Sequence, residues 1–237
     1  MWFFLAMIGL LGCAGLATAQ TAARNNCPLY TRPVKLNFTT NNAPTIYNNN
    51  LNVTGIQNTI RQSGSVIAGL HQRALGLTSS QVGLSMTGQT YAAPIKGWFC
   101  IYLRSVDADF SFNRIDVLVA SEFRPASYEY KAVLDHENQH VAINRAAVRD
   151  YAPRVRQAIE ISLQTIPPRF SRDAQLGGDE KLSGLSDSAA SAMDEMERVM
   201  ASRNAAIDTT YNYSAISELC KNWDQGNVWP TVPAAKR

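Results

Sequence analysis

The chain has 237 residues, of which 46% are hydrophobic and 17% charged, with a formal net charge of +3. That composition excludes a disordered or fibrous protein and is enough to bury a core of domain size. The small net charge, with Lys and Arg scattered among acids, excludes nucleic acid as a partner.

In chain order, residues 1–19 form an apolar stretch ending in Ala17-Thr18-Ala19, as in a secretory signal with a small-x-small cleavage site. The run is short for a membrane span. Leu10-Leu11-Gly12-Cys13 also looks like a lipobox, in which a lipid on Cys13 would anchor the protein to a membrane. Both readings take the protein out of the cytoplasm, secreted, periplasmic or lipid-anchored, and leave residues 20–237 as one domain. In an oxidising compartment two of Cys27, Cys100 and Cys220 are expected to pair, and spacing does not choose which. The triplets beginning at Asn37, Asn52 and Asn212 fit the glycosylation acceptor pattern.

Residues 34–38 predict a strand within an Asn- and Thr-rich segment. Apolar residues at Ile56, Ile60, Ile67 and Leu70 predict a helix over residues 56–75, weakened by Gly64 and Gly69. Residues 97–104 and 115–120 are aromatic and β-branched, and read as antiparallel strands joined through residues 107–113. Ser127 is a candidate N-cap for a helix from Tyr128 towards Tyr151, and Pro153 should kink it or start another helix ending before Pro167-Pro168. Residues 177–188 read as a Gly/Ser/Asp loop, and residues 189–211 as a last helix. Strands first and helices after predict an α+β fold, an N-terminal antiparallel sheet followed by C-terminal helices.

Chemistry concentrates in His136-Glu137-Asn138-Gln139-His140. Residues four apart on a helix project from one face, so His136 and His140 can bind one Zn²⁺ while Glu137 beside them serves as general base towards a water. This H-E-x-x-H pattern uses two of the chain's three histidines, and its face is shared by Ala132, Val133, Ile143 and Ala147. Such a face looks inward, where two imidazoles without a partner would be costly. The third histidine, His71, lies upstream in the weak helix and is not expected to ligate. A carboxylate on the last helix is the expected third ligand. Glu197 and Asp208 both flank its apolar stripe of Met193, Met196, Met200 and Ile207, together with Asn204 and Tyr211, whereas Glu195 points the other way. Tyr211, three residues after Asp208, is a candidate donor to an oxyanion.

The motif from Asp135 to Val141, the long helix after it, and Arg203-Asn204-Ala205-Ala206-Ile207-Asp208 followed by Tyr211 resemble a family of secreted bacterial zinc-dependent proteases. The resemblance covers the second half of the chain and implies a zincin-like helix, zinc and proteolysis. Where that family often has Thr-x-His-Gly after the Asp, this chain has Tyr211-Asn212-Tyr213-Ser214, so Asp208 and Glu197 both stay open as third ligand. The Asp-x-x-Tyr spacing is also similar to that of the aspzincins, in which an Asp is the third ligand.

These residues predict an exported zinc metallopeptidase acting on a protein, a peptide or a cell-wall peptide, with residues 115–120 as the edge strand that holds substrate. The alternative is an exported or lipid-anchored envelope protein with a non-catalytic zinc site.

Overall fold

The computed structural model describes residues 27–28, 32–63 and 73–219. The leader, Cys13, His71 and Cys220 lie outside the described residues, and among these no helix is long and apolar enough to cross a membrane.

The elements run β1 (Lys35–Thr39), β2 (Thr45–Asn48), α1 (Val53–Gln62), β3 (Gly76–Ile95), β4 (Trp98–Val119), α2 (Tyr128–Thr165), β5 (Arg169–Ser171), α3 (Ala174–Ile207) and α4 (Thr210–Leu219). The α+β class is as expected, but the sheet is mixed and not antiparallel throughout. Its axis is β4, which pairs antiparallel with β3 along one edge. Along the other edge it meets β5 antiparallel, and then β1 and β2, both parallel.

The two strands expected over residues 97–104 and 115–120 are one. The segment between them continues β4, and Val106, Ala108, Phe110 and Phe112 point inward while Asp107 and Asp109 face the other side. Two phase slips disguise this. In the pairing with β3, Arg104 and Asn113 are each skipped, so the inward set moves from Ile101 and Leu103 to Val106–Phe112 and then to Ile115, Val117 and Val119. Each bulge inserts one residue and re-aims the strand beyond it. The turn between β3 and β4 is Lys96-Gly97, both left-handed (φ 47° and 81°), as a two-residue hairpin of the I′ type requires.

The inward face of β4 packs on α2 and α3 through Phe110, Ile115 and Val117 against Val141, Val148, Val155, Ile159, Ala189 and Met196. Ser127 caps α2 as expected, accepting from the Tyr130 amide, and α2 continues through Pro153 without a break. The first helix starts earlier than expected, at Val53, and ends at Gln62 with Ser63 as its cap, while residues 64–72 of the expected span lie outside the described residues.

The loop expected over residues 177–188 is instead the start of α3. A Cβ on Gly177 would lie 2.3 Å from Ile101 Cδ1 and 3.1 Å from Ser171 Cβ. Glycine there lets the helix lie directly on the sheet, and tertiary packing overrides the low helix propensity of Gly-Gly. Asp173 caps α3 through the Gln175 and Leu176 amides.

Close by, Lys181 is 5% exposed and donates to the Pro167 carbonyl at 2.5 Å. Burial, and after it the Arg169 guanidinium, brings its ammonium down from 10.5 to about 8. Between those two values the unfolded chain keeps a proton that the folded one has lost, so stability should rise with pH. The full gain is about 3 kcal/mol by pH 10.5. Urea midpoints measured from pH 7 to 10 should show this rise in the wild type and not in Lys181→Met.

The acceptor asparagines are all engaged. Asn37 donates to Asp107 at 2.6 Å, Asn52 caps α1 through the Gly55 amide, and Asn212 donates to the Ile207 carbonyl.

Candidate metal centre

His136 and His140 lie one turn apart on α2, both buried, and face the end of α3. Asp208 is the residue at which α3 stops. Its backbone leaves the helical region (φ −86°, ψ 45°), and Thr209 starts α4 by accepting from the Asn212 amide at 3.2 Å. The break places the Asp208 carboxylate between the imidazoles, its Oδ1 3.2 Å from His136 Nε2 and 3.1 Å from His140 Nε2. The two Nε2 atoms are 3.2 Å apart.

These three residues could hold a metal ion, since one ligand atom from each lies within 4.8 Å of the other two. The donor set fits zinc. Tetrahedral ligands at zinc–nitrogen and zinc–oxygen distances sit about 3.3 Å from one another, close to the spacing observed. The helix field agrees, because Asp208 sits at the negative end of α3, whose last turn carries no basic side chain. Burial pushes the Asp208 carboxyl up, but hydrogen bonds and charge from the two imidazoles outweigh it and hold the group well below the usual carboxylate range. His140 goes the other way: burial lowers it, yet bonds to Asp208 and Asn204 raise it above its ordinary value.

Glu137 is 5% exposed beside the pair. Thr78 of β3 donates to its Oε2 at 2.8 Å and reaches its backbone carbonyl at 3.0 Å, tying the first turn of the motif to the sheet. Burial raises the Glu137 carboxyl above its ordinary value, against the opposing pull of His140, Thr78 and His136. Gly76 is the reason it fits, since a Cβ there would lie 2.6 Å from Glu137 Oε1 and 2.8 Å from Val133 Cγ1. A cavity of about 450 Å³ opens over the group, walled by Ile60, Leu77, Ala201, Ala205 and Tyr213.

Two sequence candidates fall outside the site. Glu197 is exposed and does not join the metal-ligating group. It shares a helix face with Asp208, but eleven residues along α3 is about 16 Å, beyond the reach of a side chain. Tyr211 is 82% exposed. The new helix phase after Asp208 brings in Tyr213 in its place: its hydroxyl donates to Asp208 Oδ1 at 3.3 Å and its ring lies 5.9 Å from His136. Glu195 lies outside the site, its side chain exposed to solvent as expected, where it pairs with Arg154 at 3.0 Å and accepts from Tyr151. Nor are residues 115–120 an edge, because β2 and β3 flank Ile115–Leu118 on both sides. The strand edge beside Glu137 belongs to β3 around Gly76–Ser80, which has one partner, β4, among the described residues.

Thr78, Asn144 and Tyr213 carry no signal in the sequence, since each acquires its role only when β3, α2 and α4 meet. No protein-family model, no curated protein and no solved structure matches this chain.

Proposed function

We propose that the chain is an exported zinc metallopeptidase, a reading carried by the convergence of His136, His140 and Asp208 on one point beside a buried Glu137. Zinc held by those three residues would supply Lewis acidity towards a water and towards the carbonyl oxygen of the scissile bond.

The remaining steps belong to the protein's own groups. Glu137 takes a proton from the attacking water as the water oxygen bonds to the carbonyl carbon. It then delivers that proton to the amide nitrogen as the C–N bond breaks. Thr78 holds Oε2 in place for this, leaving Oε1 outside that bond. A carboxyl pushed above its ordinary value suits the second task, which needs a group that can carry a proton. The Tyr213 hydroxyl, raised first by burial and then by Asp208 and Glu137, stays protonated, and its one proton, given to Asp208 Oδ1 in the free protein, turns to the developing oxyanion. The edge of β3 around Gly76–Ser80, unpaired among the described residues, offers backbone groups to which an extended peptide can add as a strand.

A purely structural zinc site would have no use for a carboxylate kept buried beside the open position, which favours catalysis over the envelope-protein reading. Elemental analysis of the purified protein should find about one zinc per chain, lost in His140→Ala, as a site of this ligand count requires. Chelation should abolish cleavage of a protein substrate, and zinc should restore it. A wild-type protein that takes up no zinc at neutral pH would overturn the proposal.

A further inference from the structure

On the antiparallel helices α2 and α3, two of the three ligands, His140 and Asp208, have an asparagine one turn away. Asn144 follows His140 by four residues, and Asn204 precedes Asp208 by four. The result is two adjacent rungs, His140 to Asp208 at 3.1 Å and Asn204 to Asn144 at 2.8 Å. They are joined by a diagonal from His140 Nδ1 to Asn204 Oδ1 at 2.9 Å. Asn144 is 4% exposed and reaches on to Ser80 Oγ of β3 at 3.0 Å.

The chain of bonds has a direction, because a primary amide donates from nitrogen and accepts at oxygen. Asn144 gives its Nδ2 to Ser80, so its Oδ1 is left to accept from Asn204 Nδ2. That turns Asn204 Oδ1 towards the imidazole, and an oxygen there requires the proton of His140 to sit on Nδ1. With a proton kept on Nδ1, Nε2 is the nitrogen that gives up its proton when a metal replaces the hydrogen bond to Asp208, and its lone pair is then the one that ligates. The reverse sense, with every amide flipped, would put the proton on Nε2 and remove His140 from the ligand set.

We propose that Ser80, Asn144 and Asn204 form a directional amide relay that holds His140 with its proton on Nδ1 and its Nε2 presented to the metal. All three are positioning residues: none touches the metal point, and Asn204 alone touches a ligand that does. The relay uses neutral amides in the place where a metal-bound histidine commonly leans on a carboxylate or a backbone carbonyl. It also ties the ligand to β3, the strand that borders the site. The inference rests on the zinc reading above.

The test is zinc affinity, measured by chelator competition at constant neutral pH on wild type, His140→Ala, Asn204→Ala, Asn144→Ala and Asn204→Asp. Asn204→Ala and Asn144→Ala should bind zinc about 10- to 100-fold more weakly than wild type, the usual loss when such a partner is removed. Asn204→Asp keeps an acceptor for Nδ1 and should recover most of that loss. The melting temperature of each metal-free variant separates positioning from folding, since a merely structural asparagine would lower it while leaving the affinity of the folded protein unchanged. Wild-type affinity in Asn204→Ala, alongside loss in His140→Ala, would overturn the relay and leave the zinc site standing. An Asn204→Asp variant as weak as Asn204→Ala would also overturn it. A wild type that binds no zinc would remove both.

Discussion

Glu137→Gln is expected to lower kcat/KM for peptide hydrolysis by about 10²- to 10⁴-fold, the range for loss of a general base, with zinc content unchanged. The substitution isolates the proton-transfer role. Gln has the shape of Glu, and the Thr78 hydroxyl that now donates to Oε2 at 2.8 Å can donate equally to an amide oxygen. The close fit against Gly76 is kept as well. What disappears is the capacity to hold a proton between water and amine. A carboxylate this deeply buried would otherwise be a liability, because taking a charge out of water costs more than one hydroxyl bond returns. Its presence is therefore easier to explain by chemistry than by packing. Steady-state cleavage of a protein substrate, with zinc measured on the same samples, reads both quantities. Retained activity would remove Glu137 from the mechanism, and a parallel loss of zinc would mean that the residue supports the metal group and not the reaction.

The two imidazoles and Glu137 were legible in the sequence because their relation is local: spacing on one helix fixes which side chains share a face. The carboxylate that joins the two imidazoles is a tertiary fact. Glu197 and Asp208 have nearly the same helical phase, and only the position of α3 against α2 decides between them. The choice between Tyr211 and Tyr213 turns on a smaller event still, the break at Asp208, which restarts the helix and shifts every later side chain.

The fold was readable where pattern and packing agreed, as at the Ser127 cap, and obscure where they did not. Arg104 and Asn113 each interrupt the alternation of β4, so one 22-residue strand reads as two. β3 is rich in Gly, Ser, Thr and Gln, and its apolar alternation at Val82, Leu84 and Met86 is too short to announce a 20-residue strand. Its partner β4 supplies the ladder that holds it. Gly177 and Gly178 look like loop residues until Ile101 and Thr90 are seen occupying the space their side chains would need.

Removal of the Cys27–Cys100 disulfide is expected to cost about 4 kcal/mol, since the bond closes a loop of 73 residues and the loss of chain entropy in the unfolded state grows with loop length. That is a large part of the 5–15 kcal/mol that holds a typical domain together. The bond fixes the chain before β1 to the start of β4, where Cys100 is fully buried between Phe170 of β5 and Ala93 of β3. Beside it Tyr102 donates its hydroxyl to the Pro28 carbonyl at 2.8 Å, a second attachment that should keep the segment near its place once the bond is cut. Cys27→Ser is the informative variant: it spares the buried Cys100, whose thiol can remain as a small apolar side chain, and puts the hydroxyl at a half-buried position. Because Cys100 lies at the β3–β4 hairpin end of β4 and Glu137 lies against Gly76 at the other, zinc content should not change. Urea unfolding of wild type and Cys27→Ser, each with and without reductant, decides the matter. Wild type without reductant should stand well above the other three samples, and coincident midpoints for all four would show that this cross-link contributes nothing to the fold.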